Sequence, residues 1–128
     1  MKKTEPFGYL MTFDLYRCKK GVCNDISLCY HFLEEAVDVL QMKKQSPPFI
    51  FKSDKNKYPD KAGLSGWVPL IESGIQIHTL SVKNFITVDV YSCRKFETKN
   101  LKKFVRRYFR PRKMVTNFIE RGVKYHIC

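Results

Sequence analysis

The sequence predicts an α+β fold, a two-layer α/β sandwich in which a mainly antiparallel sheet carries two helices on one face. Two segments with helical apolar spacing flank a run of short alternating strands, and further strands stand at either end, giving the order strand, helix, strands, helix, strand. At 128 residues the chain can bury one core but not two, so residues 1–128 are expected to form a single domain.

Taken in order, residues 8–17 (GYLMTFDLYR) read as the first strand, with Leu10, Thr12, Asp14 and Tyr16 on one face and Met11, Phe13 and Leu15 on the other. Asn24 or Asp25 caps a helix over residues 26–44, whose Leu28, Phe32, Leu33, Ala36, Val37 and Leu40 recur at helical spacing. Ser46-Pro47-Pro48 stops it, because proline lacks the donor a helix needs and restricts the residue before it. A short strand at 49–51 precedes a polar, charged surface loop at 52–62.

Three strands follow at 64–72, 75–80 and 85–92, the last two joined as a hairpin through residues 81–84. Alternation places Gln76 and His78 on one face of their strand, and Thr87, Asp89, Tyr91 and Cys93 on the matching face of the next. The polar faces of the two strands are therefore expected to carry His78 and Cys93 together. A second helix from Glu97 or Thr98 to Phe109 sets Leu101, Phe104, Val105, Tyr108 and Phe109 against the core, and Lys102, Lys103, Arg106, Arg107 and Arg110 outward. Pro111 ends it, and residues 114–120 read as the last strand.

Composition narrows the function. The chain is 44% hydrophobic and 14% aromatic, which suits a folded globule, and no apolar run nears the roughly 20 residues of a membrane-spanning helix. No secretory signal is visible, so a cytoplasmic location without membrane partners is expected. Cys18, Cys23 and Cys29 fit neither a paired zinc motif nor a disulfide framework, and read as reduced, buried thiols. Net charge is +12, from 24 Lys and Arg against 12 Asp and Glu, and it would attract nucleic acid, anionic lipid or an acidic partner.

Residues 63–93 set reactive groups in segments otherwise made of residues that seek burial: Ser65, Ser73, His78 and Cys93. Singly, each is ordinary: a serine beside a glycine, a strand histidine, a thiol in an apolar strand. Together, Leu64-Ser65-Gly66, Glu72-Ser73, Ile77-His78-Thr79 and the run Val88-Asp89-Val90-Tyr91-Ser92-Cys93 resemble the bacterial and archaeal class of S-adenosylmethionine decarboxylase. The steps of eight residues from Ser65 to Ser73, five to His78 and twenty from Ser73 to Cys93 match that family without a gap. Weaker similarity runs upstream through Gly8 to Cys18 and downstream to Glu120-Arg121-Gly122.

The resemblance implies a pyruvoyl-dependent decarboxylase that supplies the aminopropyl donor for spermidine biosynthesis. No ordinary side chain is an electron sink, so such an enzyme needs a carbonyl able to form a Schiff base with the substrate amine. By the resemblance, autocatalytic serinolysis at Glu72-Ser73 would provide it, leaving a β chain of residues 1–72 and an α chain of 73–128 headed by a pyruvoyl group. Ser73 would be the pyruvoyl precursor, His78 the processing base, Ser65 a hydroxyl that assists processing, and Cys93 the proton donor in decarboxylation. The pyruvoyl group would be the cofactor, with no metal, and a homodimer the expected assembly.

The chain departs from the family at three places. Gly74 replaces the histidine that follows the cleavage serine, which keeps the bond accessible while loosening local geometry. Leu80-Ser81-Val82 replaces a Trp-Pro-Glu, removing the carboxylate that would bind ribose. The adenine-stacking phenylalanine falls at Pro59, or at Tyr58 after a one-residue shift, making Tyr58 the candidate substrate contact. These departures leave two other readings open. One is a decarboxylase of ornithine or arginine on the same scaffold, with Asp14 or Asp89 offsetting the charge of the cationic substrate. The other is an unprocessed, non-enzymatic homologue that binds nucleic acid or an acidic partner through residues 106–113 (RRYFRPRK).

Overall fold

In the computed structural model, which describes residues 5–127, eight principal elements follow the expected order: β1 (Gly8–Tyr16), α1 (Ile26–Val39), β2 (Phe49–Ser53), β3 (Gly63–Leu70), β4 (Ser73–Leu80), β5 (Phe85–Ser92), α2 (Thr98–Phe109) and β6 (Lys113–Arg121). The six strands form one sheet in the order β2-β3-β4-β5-β1-β6, with every neighbouring pair antiparallel. The fold is the expected α+β sandwich. No described helix is long and apolar enough to cross a membrane.

Alternation sorts each strand into two faces. Met11, Phe13 and Leu15 of β1, Leu64 and Val68 of β3, Ile75 and Ile77 of β4, and Ile86, Val88 and Val90 of β5 are buried in one cluster with Cys29, Phe32 and Leu33 of α1 and Leu101, Val105 and Phe109 of α2. Phe32 of α1 joins the two helices, lying 5.4 Å from the Phe104 ring and 4.7 Å from the Phe109 ring of α2. Thr79 is the polar member of the inner face of β4. Its hydroxyl donates to the Cys23 carbonyl at 2.7 Å and accepts from the Leu64 amide at 2.8 Å, so its burial leaves nothing unpaired.

Helix α1 starts as read, with the Asp25 carboxylate accepting the Leu28 amide, but it stops at Val39 rather than at residue 44. Gln41 adopts a left-handed φ of 55°, and the amides of Gln41 and Met42 bond back to the Asp38 and Val37 carbonyls, the pattern of a Schellman cap. The chain then turns so that Leu40 and Met42 are buried and Lys44 bridges to Leu70. The expected strand at 64–72 likewise ends at Leu70, and the next begins at Ser73 rather than at 75. Leu70 pairs with Ser73, so Ile71 and Glu72 form a two-residue hairpin turn.

Candidate active site

That turn ends on the Glu72–Ser73 peptide bond. Two-residue hairpin turns call for positive φ, which glycine and asparagine supply cheaply. Neither residue type stands at positions 71–73, and the positive φ falls on Ser73 itself, at 150°. A side chain in that region carries backbone strain, a known store of reactivity. The turn is held from both sides. The Cys93 amide donates to the Glu72 carbonyl oxygen at 2.8 Å, the Ile71 amide donates to the Lys43 carbonyl at 3.0 Å, and the Lys43 amide donates to the Glu72 carboxylate at 3.4 Å.

Cys93 follows directly on β5, whose Ser92 pairs with Ser73, and it is exposed. The other described thiols are buried and inert: burial pushes Cys18 and Cys29 up to about 12 and Cys23 to about 11, and neighbouring thiols add to the shift for Cys18 and Cys29.

Ser73 lines a depression of about 340 Å³ with Trp67, Gly74, Gln76, Asp89 and Tyr91. Arg121 also lines it, its guanidinium lying over the Tyr91 ring, 5.3 Å from the ring centre. Burial raises the Asp89 carboxyl above the usual carboxylate range, and Asp14 raises it further. Gly74 packs tightly under an indole: a Cβ there would lie 2.9 Å from Trp67 Nε1, so Trp67 fills the space that a side chain at 74 would need. Trp67 also walls a second depression, of about 530 Å³, with Phe49, Phe51, Ser65 and Gln76. Its ring lies 5.9 Å from Phe49, nearly parallel at 20°.

Ser65 and His78 face each other across β3 and β4, with Ser65 Oγ 3.0 Å from His78 Nδ1. They are not beside Ser73. Five residues of strand at about 3.3 Å each put His78 about 16 Å along β4 from Ser73. His78 and Cys93, expected together on the polar faces of the two strands, are apart. The β4–β5 hairpin closes at the Leu80–Phe85 end, so His78 lies opposite Thr87 near the closed end, and Cys93 lies beyond the open one. Tyr58 stands exposed in the segment between β2 and β3, outside the Ser73 depression. Trp67 and Phe49 went unnoticed in the sequence; alternation with Ser65 on β3 would have put Trp67 on this face.

Comparison with known proteins places the chain. The family model for S-adenosylmethionine decarboxylase matches residues 9–122, from the first strand through the last. The crystal structure of the adenosylmethionine decarboxylase from Aquifex aeolicus is similar over 92% of both chains, with a TM-score of 0.77 and 25% identity. With that match running through both halves of the strained hairpin, the chain belongs to the S-adenosylmethionine decarboxylase family.

Proposed function

We propose that the chain cuts itself between Glu72 and Ser73, keeps a pyruvoyl group at residue 73, and decarboxylates S-adenosylmethionine to the aminopropyl donor of spermidine synthesis. The observation that carries this reading is the junction itself, a serine at φ 150° whose preceding carbonyl already accepts the Cys93 amide.

In the first step Ser73 Oγ adds to the Glu72 carbonyl carbon and the C–N bond breaks, leaving an ester and the free amine of Ser73. Negative charge develops on the oxygen that the Cys93 N–H already holds; one such donor is worth about 10²–10³ in rate. Removal of the Ser73 α-proton then expels the Glu72 carboxylate. The dehydroalanine left at 73 rearranges to an imine, which water hydrolyses to the pyruvoyl group with loss of ammonia.

The residues around the junction fit that group: strain favours the cut, and the exposed Cys93 stands beside the new chain end. The pyruvoyl carbonyl supplies the electron sink for loss of carbon dioxide. Cys93 Sγ is the proton source for the carbon that loses it. His78, paired with Ser65, is the base for the α-proton. Because it sits about 16 Å away in its own chain, a second copy must bring it, and the protein works as a homodimer.

The aromatic depression favours S-adenosylmethionine over ornithine or arginine. A surface faced by Phe49, Phe51 and Trp67 suits a flat purine and offers nothing to a diamino acid. Through Trp67 it is continuous with the Ser73 depression, and it takes the place of the family contacts missing at Pro59 and Val82.

Intact-mass analysis of purified protein is the test. The expected result is two fragments, 1–72 and a pyruvoyl-headed 73–128, with Ser73→Ala remaining one 15.2 kDa chain less one oxygen. Cys93→Ala keeps the amide and should still be cut, while carbon dioxide release from S-adenosylmethionine falls by about 10²–10⁴. An uncut wild-type chain would overturn the reading.

A further inference from the structure

Three connections meet beyond one end of the sheet: residues 17–20 after β1, Asn84 before β5, and residues 110–112 between α2 and β6. There Arg17, Lys19, Lys20, Arg110 and Arg112 line a cleft of about 630 Å³ with Cys18 and Asn84, and no carboxylate among the described residues stands in its wall. None of the lining residues belongs to a strand, so the cleft is not built from the helix-free sheet face that the homodimer would use. Backbone hydrogen bonds fasten the connections to one another: the Cys18 amide donates to the Asn84 carbonyl at 2.8 Å, Lys19 to Phe109 at 2.9 Å, and Arg112 to Tyr16 at 3.0 Å. The cations therefore stand on a fixed frame.

Local backbone chemistry argues against two of the arginines. Arg17 and Arg110 hold left-handed φ of 50° and 46°, beside Asn84 at 50°. Asparagine tolerates that region, whereas arginine is disfavoured in it. Arg110 moreover caps α2, its amide donating to the Arg106 carbonyl at 2.8 Å, at a position where glycine is the usual choice. Folding alone would favour glycine at both places, so the reason for arginine lies in the side chain. The C-terminal end of α2 attracts cations, but a helix end offers only about half a negative charge, far short of what this cluster carries. None of the five pairs with a carboxylate among the described residues. Disfavoured backbone and unmatched charge in one cleft mark a place shaped for a ligand.

A single phosphate brings at most about two negative charges, too few for this cluster. Convergence on one concavity of small-molecule size suits a compact ligand better than a polymer, and the planar fork of arginine fits phosphate oxygens. We propose that the cleft binds an oligophosphate, two or three linked phosphates that are either free or the tail of a nucleotide. The inference does not rest on cleavage at Ser73, because none of these residues takes part in that chemistry.

The test is calorimetric titration of the full chain, at about 0.1 M salt, with inorganic tripolyphosphate, ATP and orthophosphate. Tripolyphosphate should saturate at one per chain, with orthophosphate at least about tenfold weaker. ATP bound at least as tightly as tripolyphosphate identifies the nucleotide as the source; tripolyphosphate bound more tightly identifies the free polymer. Lys20→Ala with Arg112→Ala should weaken tripolyphosphate at least about tenfold. Arg17→Gly with Arg110→Gly should weaken it as much, yet the unliganded variant should melt no lower than the wild type, since glycine suits both backbones. Lys99→Ala with Lys102→Ala removes the same charge about 12–17 Å from Arg110 along α2, and affinity should change less than about twofold. The proposal is overturned if tripolyphosphate does not saturate, if orthophosphate binds as well, or if the α2 variant weakens binding as much as the cleft variants do. It is equally overturned if the glycine variant melts well below the wild type, which would make the arginines structural. A single-stranded RNA of about 12 nucleotides that binds through the cleft and resists displacement by tripolyphosphate would overturn it in favour of a polymer.

Discussion

Asp89 faces the open side of the sheet between Gln76 of β4 and Thr12 of β1, with Asp14 one step further along β1. Burial, and then the Asp14 charge, raise its carboxyl above the ordinary value of 3.8. A carboxyl whose proton is held more tightly in the folded than in the unfolded chain favours folding at acid pH, and that contribution is lost as pH rises from 3.8 through the raised value. Asp89→Asn removes the charge that has to be buried. Its melting temperature should exceed that of the wild type at pH 7, and the gain should shrink as the pH is taken down to about 3.8. A gain of the same size at every pH would mean that packing, not charge, sets it. The side of the sheet that Asp89 occupies was legible in the alternation of β5, but the squeeze on its charge was not, because it depends on which residues of β1 and β4 lie alongside.

Among the elements, the β3–β4 hairpin departs furthest from what its sequence suggests. A reader expects a turn at Ser73-Gly74, since serine and glycine are turn residues. The turn falls at Ile71-Glu72 because the inner faces of both strands then stay buried: Leu70 and Val68 on one side, Ile75 and Ile77 on the other. Gln41 hides the end of α1 for a related reason, since no glycine announces a left-handed cap there. Where periodicity was clean, in β1, β4, β5 and the apolar stripes of both helices, the faces could be read directly.

Gly74 then serves packing rather than the turn, because the Trp67 ring occupies the space above it. Gly74→His, which restores the family residue, should destabilise the fold by about 1–3 kcal/mol through overpacking, seen as a lowered melting temperature. Trp67→Val in the same chain should recover most of that loss. If the double variant melts no higher than Gly74→His alone, the indole is not the obstacle.

For the molecule as a whole, the helices cover one face of the sheet and leave the other bare. That bare face carries Ser73's depression, the Ser65–His78 pair and exposed Phe49, Phe51, Trp67, Val115 and Ile119. Isolated exposed apolar residues are ordinary, but a sheet face with this many is the surface on which the proposed homodimer would form. The type and spacing of Ser65, Ser73, His78 and Cys93 were legible in the sequence; their division between two ends of a strand was not, because strand register and turn position set it. Two copies laid face to face about a two-fold axis would bring each copy's His78 to the other's Ser73, and each interface would contain two complete sites.

Complementation tests this arrangement. On the proposed mechanism Ser73→Ala has no hydroxyl to attack and His78→Ala no base, so each variant expressed alone should remain whole. Expressed together, mixed dimers pair an intact Ser73 with an intact His78 across the interface, and the His78→Ala chain alone should be cleaved. Mass spectrometry can tell which chain yielded the fragments, because the fragment 73–128 would carry the alanine at 78. Were the base supplied within one chain, co-expression would leave both variants whole, and the separation of Ser73 from His78 would have to be closed by a rearrangement of β4 instead.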